Sequence, residues 1–154
     1  MFHYAATGLY LNRASIPVDH CTFQTCQTGM HAYESSPTVT TCAFMDCTSS
    51  GILCQKNTIE PIVACSPVVH DCTFWNPAVD AMNVRLEGYT DPPLETIDAE
   101  MNWWGTTVVS EIAAKIYDKN DNLSITGVVD YADYLSNPAV EHSSWGAIKA
   151  LFSD

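Results

Sequence analysis

Cysteine is the residue type with the widest possible chemistry in this chain, which has seven cysteines in 154 residues. Thiolates bind zinc, attack electrophiles and form disulfides. No two cysteines have the Cys-x-x-Cys spacing of a zinc site, and the histidines do not follow them at zinc-finger spacing. The odd count leaves at least one cysteine unpaired within a monomer. The spacing therefore favours neither zinc nor a complete set of disulfides.

Carboxylates offer little more. The segment Asp118-x-Asn120-x-Asn122 begins like a calcium loop, but Leu123 stands where the loop needs glycine and Val129 where it needs glutamate. We interpret it as a turn. His20 and Asp71 fall in one column of the repeat described below, two strand spacings apart, or roughly 9–10 Å. That is too far for a direct hydrogen bond, so we predict no catalytic residue and no metal site.

An internal repeat positions these residues. Offsets of 21 and then 30 residues superpose like on like. A further offset of 27 residues would place Ala99 under Cys72 and Met101 under Phe74. Because each copy is too short to bury its own apolar face, like residues must stack in neighbouring copies. The columns are Ser15, Ser36 and Ser66; Val18, Val39 and Val69; Cys21, Cys42 and Cys72; Phe23, Phe44 and Phe74; Cys26 and Cys47.

The repeat predicts the fold class. Cys-x-Phe alternates with a period of two, as a strand with one buried face does. A second strand follows each of Gly8, Gly29 and Gly51, and no helical period appears. We predict an all-β, right-handed, single-stranded parallel β-helix of about four coils with a C-terminal capping helix and strand. Its domain spans residues 1–138, and residues 139–154 form an amphipathic tail with Trp145, Ile148 and Phe152 on one helical face.

The cysteine columns have two interpretations. In the first, cysteine acts as a small apolar residue in a narrow core, and the thiols are free because parallel inward side chains seldom have disulfide torsions. In the second, the columns carry redox or metal chemistry. The first is favoured.

The closing segment carries a family resemblance. Asn102-Trp103-Trp104-Gly105 precedes a helix predicted over 108–117, with an N-cap at Thr106-Thr107 and a Glu111–Lys115 pair. Ile116-Tyr117-Asp118 and Val129-Asp130-Tyr131 follow. This order resembles the C-terminal closure of secreted bacterial proteins with right-handed parallel β-helix, pectate-lyase-like repeats. The resemblance covers about residues 5–138 and implies that the two tryptophans cap the core, with a sugar platform as the alternative.

The same resemblance implies polysaccharides as ligands, because similar folds include pectate lyases, polygalacturonases, alginate epimerases and phage tailspikes. Lyases of this kind need clustered aspartates and a basic residue, but this chain has only two arginines, Arg13 and Arg85. Paired aspartates for hydrolysis are also lacking, since Asp46 and Asp71 fall in different columns. We therefore expect no catalytic residue and no cofactor.

The candidate binding residues lie on the outward side of the strands that follow the glycines. Aromatic rings interleaved with amides suit sugars, which present both C–H faces and hydroxyls. The alternative is that they only stabilise stacked strands. Tyr10 and His31 are expected in one column, and Asn12, Tyr33, Gln55 and less firmly Arg85 in another.

The net charge of −12 repels phosphate backbones and anionic lipids, so nucleic acid is a poor partner. No apolar run is long enough to span a membrane, and the start lacks the features of a signal peptide. We expect a non-catalytic extracellular or cell-surface segment that binds or is displayed at a polysaccharide surface. The alternatives are the C-terminal part of a lyase or hydrolase whose active coils lie upstream, and a structural spacer.

A self-association is also expected. Leu9, Leu11, Val18, Cys21 and Phe23 would form an open apolar end with unpaired strand backbone, and such an edge recruits another chain. The simplest closed arrangement is a homodimer through the first coil.

Overall fold

The computed structural model describes residues 1–59, 61–91 and 93–139. They form fourteen short strands and one helix. In chain order these are β1 (Phe2–His3), β2 (Thr7–Asn12), β3 (Val18–Asp19), β4 (Thr22–Gln24), β5 (Thr28–Tyr33), β6 (Thr38–Thr40), β7 (Ala43–Met45), β8 (Ser50–Gln55), β9 (Val68–His70), β10 (Thr73–Trp75), β11 (Met82–Glu87), β12 (Glu95–Asp98), α1 (Val109–Ala113), β13 (Ile116–Tyr117) and β14 (Gly127–Asp130).

The strands make three parallel sheets, and each coil contributes one strand to each sheet. Sheet 1 has the order β1-β4-β7-β10, sheet 2 the order β2-β5-β8-β11-β13, and sheet 3 the order β3-β6-β9-β12-β14. Every strand pairs with the equivalent strand of the next coil. This confirms the predicted all-β parallel β-helix; its right-handed winding stays a prediction.

The core is built from ladders of like residues. Phe23, Phe44 and Phe74 are fully buried, and their rings stack in parallel with centroids 4.9 and 5.0 Å apart. Val18, Val39 and Val69 form the equivalent column of sheet 3. These two columns confirm the repeat register across offsets of 21 and 30 residues.

The third predicted offset is wrong. The ring below Phe74 is Trp104, at 4.7 Å and 9° between planes, whereas Met101 is exposed. The offset is therefore 30 residues again, which places Asn102 rather than Ala99 beneath Cys72. Sequence comparison missed this because Phe to Trp and Cys to Asn change residue type while keeping the role in the stack.

The glycines in sheet 2 follow from the same ladder. A Cβ at Gly29 would lie 2.6 Å from the carbonyl oxygen of Gly51 and 2.8 Å from the Phe44 ring. A contact that short cannot be accommodated against backbone. The strand passes the phenylalanine stack closely only because it has no side chain there.

Non-glycine residues turn the coil corners in the left-handed region. One corner column is His20, Thr41, Asp71 and Met101, with φ of 51°, 53°, 52° and 55°. This conformation is unfavourable for residues with a Cβ. Hydrogen bonds to the next coil hold it: the N–H of His20 donates to the Thr40 carbonyl at 3.2 Å, and that of Asp71 to the Met101 carbonyl at 3.1 Å.

The closing segment caps the stack with a shorter helix than predicted. α1 begins after Val108, which makes no side-chain cap, and Ile116 belongs to strand β13 beside Val84. The expected Glu111–Lys115 pair does not form, because the Lys115 ammonium donates to carbonyls of the 78–81 turn and Glu111 accepts from the Thr106 hydroxyl. Trp104 is 3% exposed, so its predicted capping role holds.

At the opposite end, the expected open apolar surface is smaller than predicted. Strand β1 pairs with β4, and the Phe2 ring covers Phe23 at 5.0 Å. Leu11 and Val18 are buried, which leaves Leu9 and Cys21 partly exposed. The edges of β1, β2 and β3 have no neighbouring strand among the described residues.

The predicted tail, residues 139–154, lies outside the described residues except for Ala139. Within the described part of the chain, no helix is long and apolar enough to cross a membrane.

The ladder predicts an asymmetry between two aromatic truncations. Phe44→Ala removes the central ring of the stack and should lower the free energy of unfolding by about 3–5 kcal/mol. Tyr33→Ala removes a partly exposed ring from the outward face and should cost under about 1 kcal/mol. Urea unfolding followed by circular dichroism measures both. Equal losses would contradict the register.

Candidate functional site

The structure brings the six predicted binding residues together on the outward face of sheet 2. Two columns run across its strands. The first contains Tyr10, His31, Leu53, Arg85 and Tyr117, and the second contains Asn12, Tyr33, Gln55 and Glu87. Arg85 therefore belongs to the Tyr10 column, not to the Asn12 column in which it was expected. We call this surface the aromatic–amide face.

Contacts between neighbouring coils order one end of the face. The Tyr10 and His31 rings meet edge to face at 4.9 Å, and Tyr33 meets His31 at 89°. The His31 Nε2 donates to the Gln55 Oε1 at 2.9 Å. Burial among these neighbours lowers the pKa of His31 from its usual value. The imidazole is therefore neutral at pH 7, and this half of the face is uncharged.

The other end of the face contains one internally balanced ion pair. The Arg85 Nε donates to the Glu87 Oε1 at 2.8 Å, and the guanidinium lies 5.2 Å from the centre of the Tyr117 ring. Both charged side chains are more than one-third exposed. The face thus has donors and acceptors for hydroxyl groups but no net charge.

The cysteine columns prove to be hydrogen-bond ladders. Each cysteine follows a left-handed corner residue, and its sulfur accepts the backbone N–H of the previous coil. The Cys21 N–H donates to the Cys42 Sγ at 3.4 Å, and the Cys42 N–H to the Cys72 Sγ at 3.4 Å. The Cys72 thiol in turn donates to the His70 carbonyl at 3.2 Å.

Asparagine ends both ladders. The Cys72 N–H donates to the Asn102 Oδ1 and the Cys47 N–H to the Asn76 Oδ1, each at 2.8 Å. The Asn102 amide then donates to two backbone carbonyls. The thiols therefore occupy the place of a side-chain amide. All seven cysteines are free, and six are buried, which supports the core interpretation over redox or metal chemistry.

A third cysteine pair was missed by sequence reasoning. Cys54 and Cys65 are both fully buried, and a hydrogen bond to Cys65 together with burial raises the pKa of the Cys54 thiol. The repeat could not reveal this pair because Cys65 lies in an insertion. Burial also raises the pKa of Cys47 to about 12. Such thiols are protonated and unreactive at neutral pH.

The insertions dock on each other through a buried lysine. Lys56 is 4% exposed, and its ammonium donates to Asp91 at 3.1 Å and to Glu95. The Tyr89 ring lies 5.5 Å from the same ammonium, and its hydroxyl donates to the Cys65 carbonyl. This cluster is satisfied internally and faces no cleft, so we assign it a structural role.

The acidic candidates stay apart, as the sequence indicated. Asp46 and Asp71 occupy different corners, and His20 contacts Asp19 rather than Asp71. Asp118 is buried and accepts the N–H groups of Asn120 and Val129, which makes its loop a hydrogen-bonded turn. The described residues contain no group of three or more side chains suited to a metal ion.

A cleft that sequence reasoning did not predict lies beside the cap. It has a volume of about 280 Å³ and lies between Trp75, Asn83, Trp104, Gly105, Glu111 and Lys115. Trp75 is 46% exposed. The Trp104 indole N–H is buried and has no hydrogen-bond partner among the described residues, a situation that costs about 1–3 kcal/mol.

Comparison of the chain with protein-family models, curated proteins and solved structures found no match. The parallel β-helix therefore rests on the strand pairing described above. The pectate-lyase-like resemblance of the closing motif stays a prediction.

The ladder predicts which replacement a core thiol tolerates. Cys72→Asn keeps an acceptor for the Cys42 N–H and places an amide near the Val39 and His70 carbonyls, so the free energy of unfolding should change by less than about 1 kcal/mol. Cys72→Val fills similar space but leaves that N–H unpaired, which should cost about 1–3 kcal/mol. Urea unfolding of both variants tests this. A more stable valine variant would show that the cysteine serves only as an apolar filler.

Proposed function

We propose that the protein is a non-catalytic β-helix segment whose aromatic–amide face binds a neutral polysaccharide at an extracellular or cell surface. The observation that carries the proposal is the alignment of Tyr10, His31 and Tyr33 with Asn12 and Gln55 on adjacent strands of one sheet. Aromatic faces cover the apolar side of sugar rings, and the amides beside them hydrogen-bond the hydroxyls.

The dimensions of the face support an extended ligand. Five strands about 4.8 Å apart span roughly 19 Å across sheet 2. Because the parallel strands repeat the same side-chain positions coil after coil, the face presents a periodic surface. A polymer of similar units can make repeated contacts with such a surface, and their combined strength exceeds that of a single weak contact.

Charge supports a neutral ligand rather than a polyanion. The chain carries −12, and the arginine on the face is already paired with Glu87. An anionic glycan would meet long-range repulsion without a basic cluster to offset it. A neutral glycan avoids this cost, and its affinity should change little with salt.

A glycan array followed by pull-down with the insoluble polysaccharide of best signal tests the proposal. The double variant Tyr10→Ala/Tyr33→Ala should lose at least about tenfold in affinity, since stacking area is removed from both columns. Tyr4→Ala is the matched control: Tyr4 is 82% exposed and lies outside sheet 2. It should bind as the unaltered protein does.

The outcome also separates the alternatives for this face. If the double variant binds equally well, the ring and amide ladders only stabilise the strands, and the proposal fails. Binding of acidic glycans alone would also contradict it.

We further propose that the printed chain self-associates through the edges of β1, β2 and β3. These edges present unpaired backbone groups, and the partly exposed Leu9 and Cys21 lie beside them. Exposed strand edges pair with other strands. A second copy offers the same edge, which allows a two-fold arrangement.

Sedimentation velocity at micromolar concentration measures this association. The chain should sediment faster than a 16.9 kDa monomer. Leu9→Lys should shift it toward monomer, because a charge would be placed at the interface, whereas Val79→Lys, at a position 88% exposed in the β10–β11 turn, should not. Circular dichroism verifies that each variant is folded. A soluble monomer for the unaltered chain would rule out the association.

A further inference from the structure

We infer that the cleft beside the cap is a second binding site, which takes a single uncharged sugar ring. It is separate from the aromatic–amide face and does not rest on the function proposed for that face. Its volume of about 280 Å³ is at the lower end of small-molecule sites, which suits one ring better than a chain.

The wall of the cleft is an indole held in place. Trp75 ends strand β10, and Gly105 packs over its six-membered ring: a Cβ at Gly105 would lie 3.1 Å from the Trp75 Cε3. The φ of 82° at Gly105 is accessible to glycine. The chain therefore covers part of the indole while 46% of the residue remains exposed. A fixed, half-exposed indole is a stacking surface for the C–H face of a sugar.

The polar groups of the cleft suit hydroxyls. Glu111 is exposed and uses its Oε2 to accept from Thr106, which leaves its Oε1 without a printed partner in the described structure. The Asn83 Oδ1 accepts from the Asn76 amide at 3.0 Å, which fixes the orientation of the Asn83 side chain. Lys115 balances the charge of Glu111 at the same cleft. The site therefore favours a ligand with hydroxyl groups and no net charge.

The alternative explanation is that these residues only close the β-helix. Capping explains Trp104, which stacks on Phe74 and is 3% exposed. It does not explain Trp75, which projects into the cleft instead of covering the stack. It also leaves the buried Trp104 N–H without a partner among the residues described. A polar ligand atom or a water held at the floor of the cleft would account for it.

NMR of the tryptophan indole N–H groups tests the site, because Trp75 and Trp104 report from its wall and floor. The probes are the methyl glycosides of glucose, galactose, mannose and N-acetylglucosamine. At least one should shift both indole signals saturably, with a Kd on the order of 1 mM. Trp75→Ala should weaken the saturable Trp104 shift at least about tenfold, whereas Trp75→Phe should remain within about threefold.

Two further variants make the outcome decisive. Glu111→Ala, at an exposed position, should weaken the same probe about tenfold without unfolding the cap. Tyr10→Ala/Tyr33→Ala should leave it unchanged, which distinguishes this site from the aromatic–amide face. The inference is overturned if no probe gives a saturable shift at about 100 mM, or if the affinity is equal in Trp75→Ala and Glu111→Ala.

Discussion

The spacing between parallel strands governs the whole molecule. Equivalent side chains of successive coils must fit within about 4.8 Å of each other, and flat rings, branched aliphatic groups and thiols meet that limit. The nearly parallel stack of Phe2, Phe23, Phe44, Phe74 and Trp104 is its clearest expression. Once this stack exists, the positions of the glycines, the corners and the outward residues follow from it.

The outward surfaces inherit the regularity of the core. Because a one-residue slip would turn every inward side chain outward, the buried ladders also fix which residues line sheet 2. Tyr10 and His31 meet across coils because Leu9 and Met30 are paired in the same register. The aromatic–amide face is therefore as well ordered as the core beneath it, and a ligand need not order it on binding.

Sequence reasoning predicted the parts of the structure in which residue types repeat. The Phe, Val and Cys columns gave the coil period and the inward face, and the glycines gave the second strand. It failed where the role was kept but the residue type changed, as at Asn102 and Trp104. It also missed contacts that depend on insertions, such as Cys54 with Cys65 and Lys56 with Asp91.

The cleft was the least predictable feature. Trp75 belongs to no repeated column, and its neighbours Gly105 and Glu111 lie about thirty residues further along the chain. The period of the repeat contains no information about such a contact, which arises where the last coil meets the cap. Asn83 and Trp75 approach only because the coils around them are already in place.

The thiol ladders give this β-helix a chemical record of its own opening. Each ladder sulfur beyond Cys21 is sealed between two coils, where it accepts an N–H from one and lies beneath the corner of the other. An oxidant reaches it only when those coils separate. Oxidation of one cysteine rather than another would therefore identify which pair of coils had parted, and the damage would follow the order in which the solenoid unwinds.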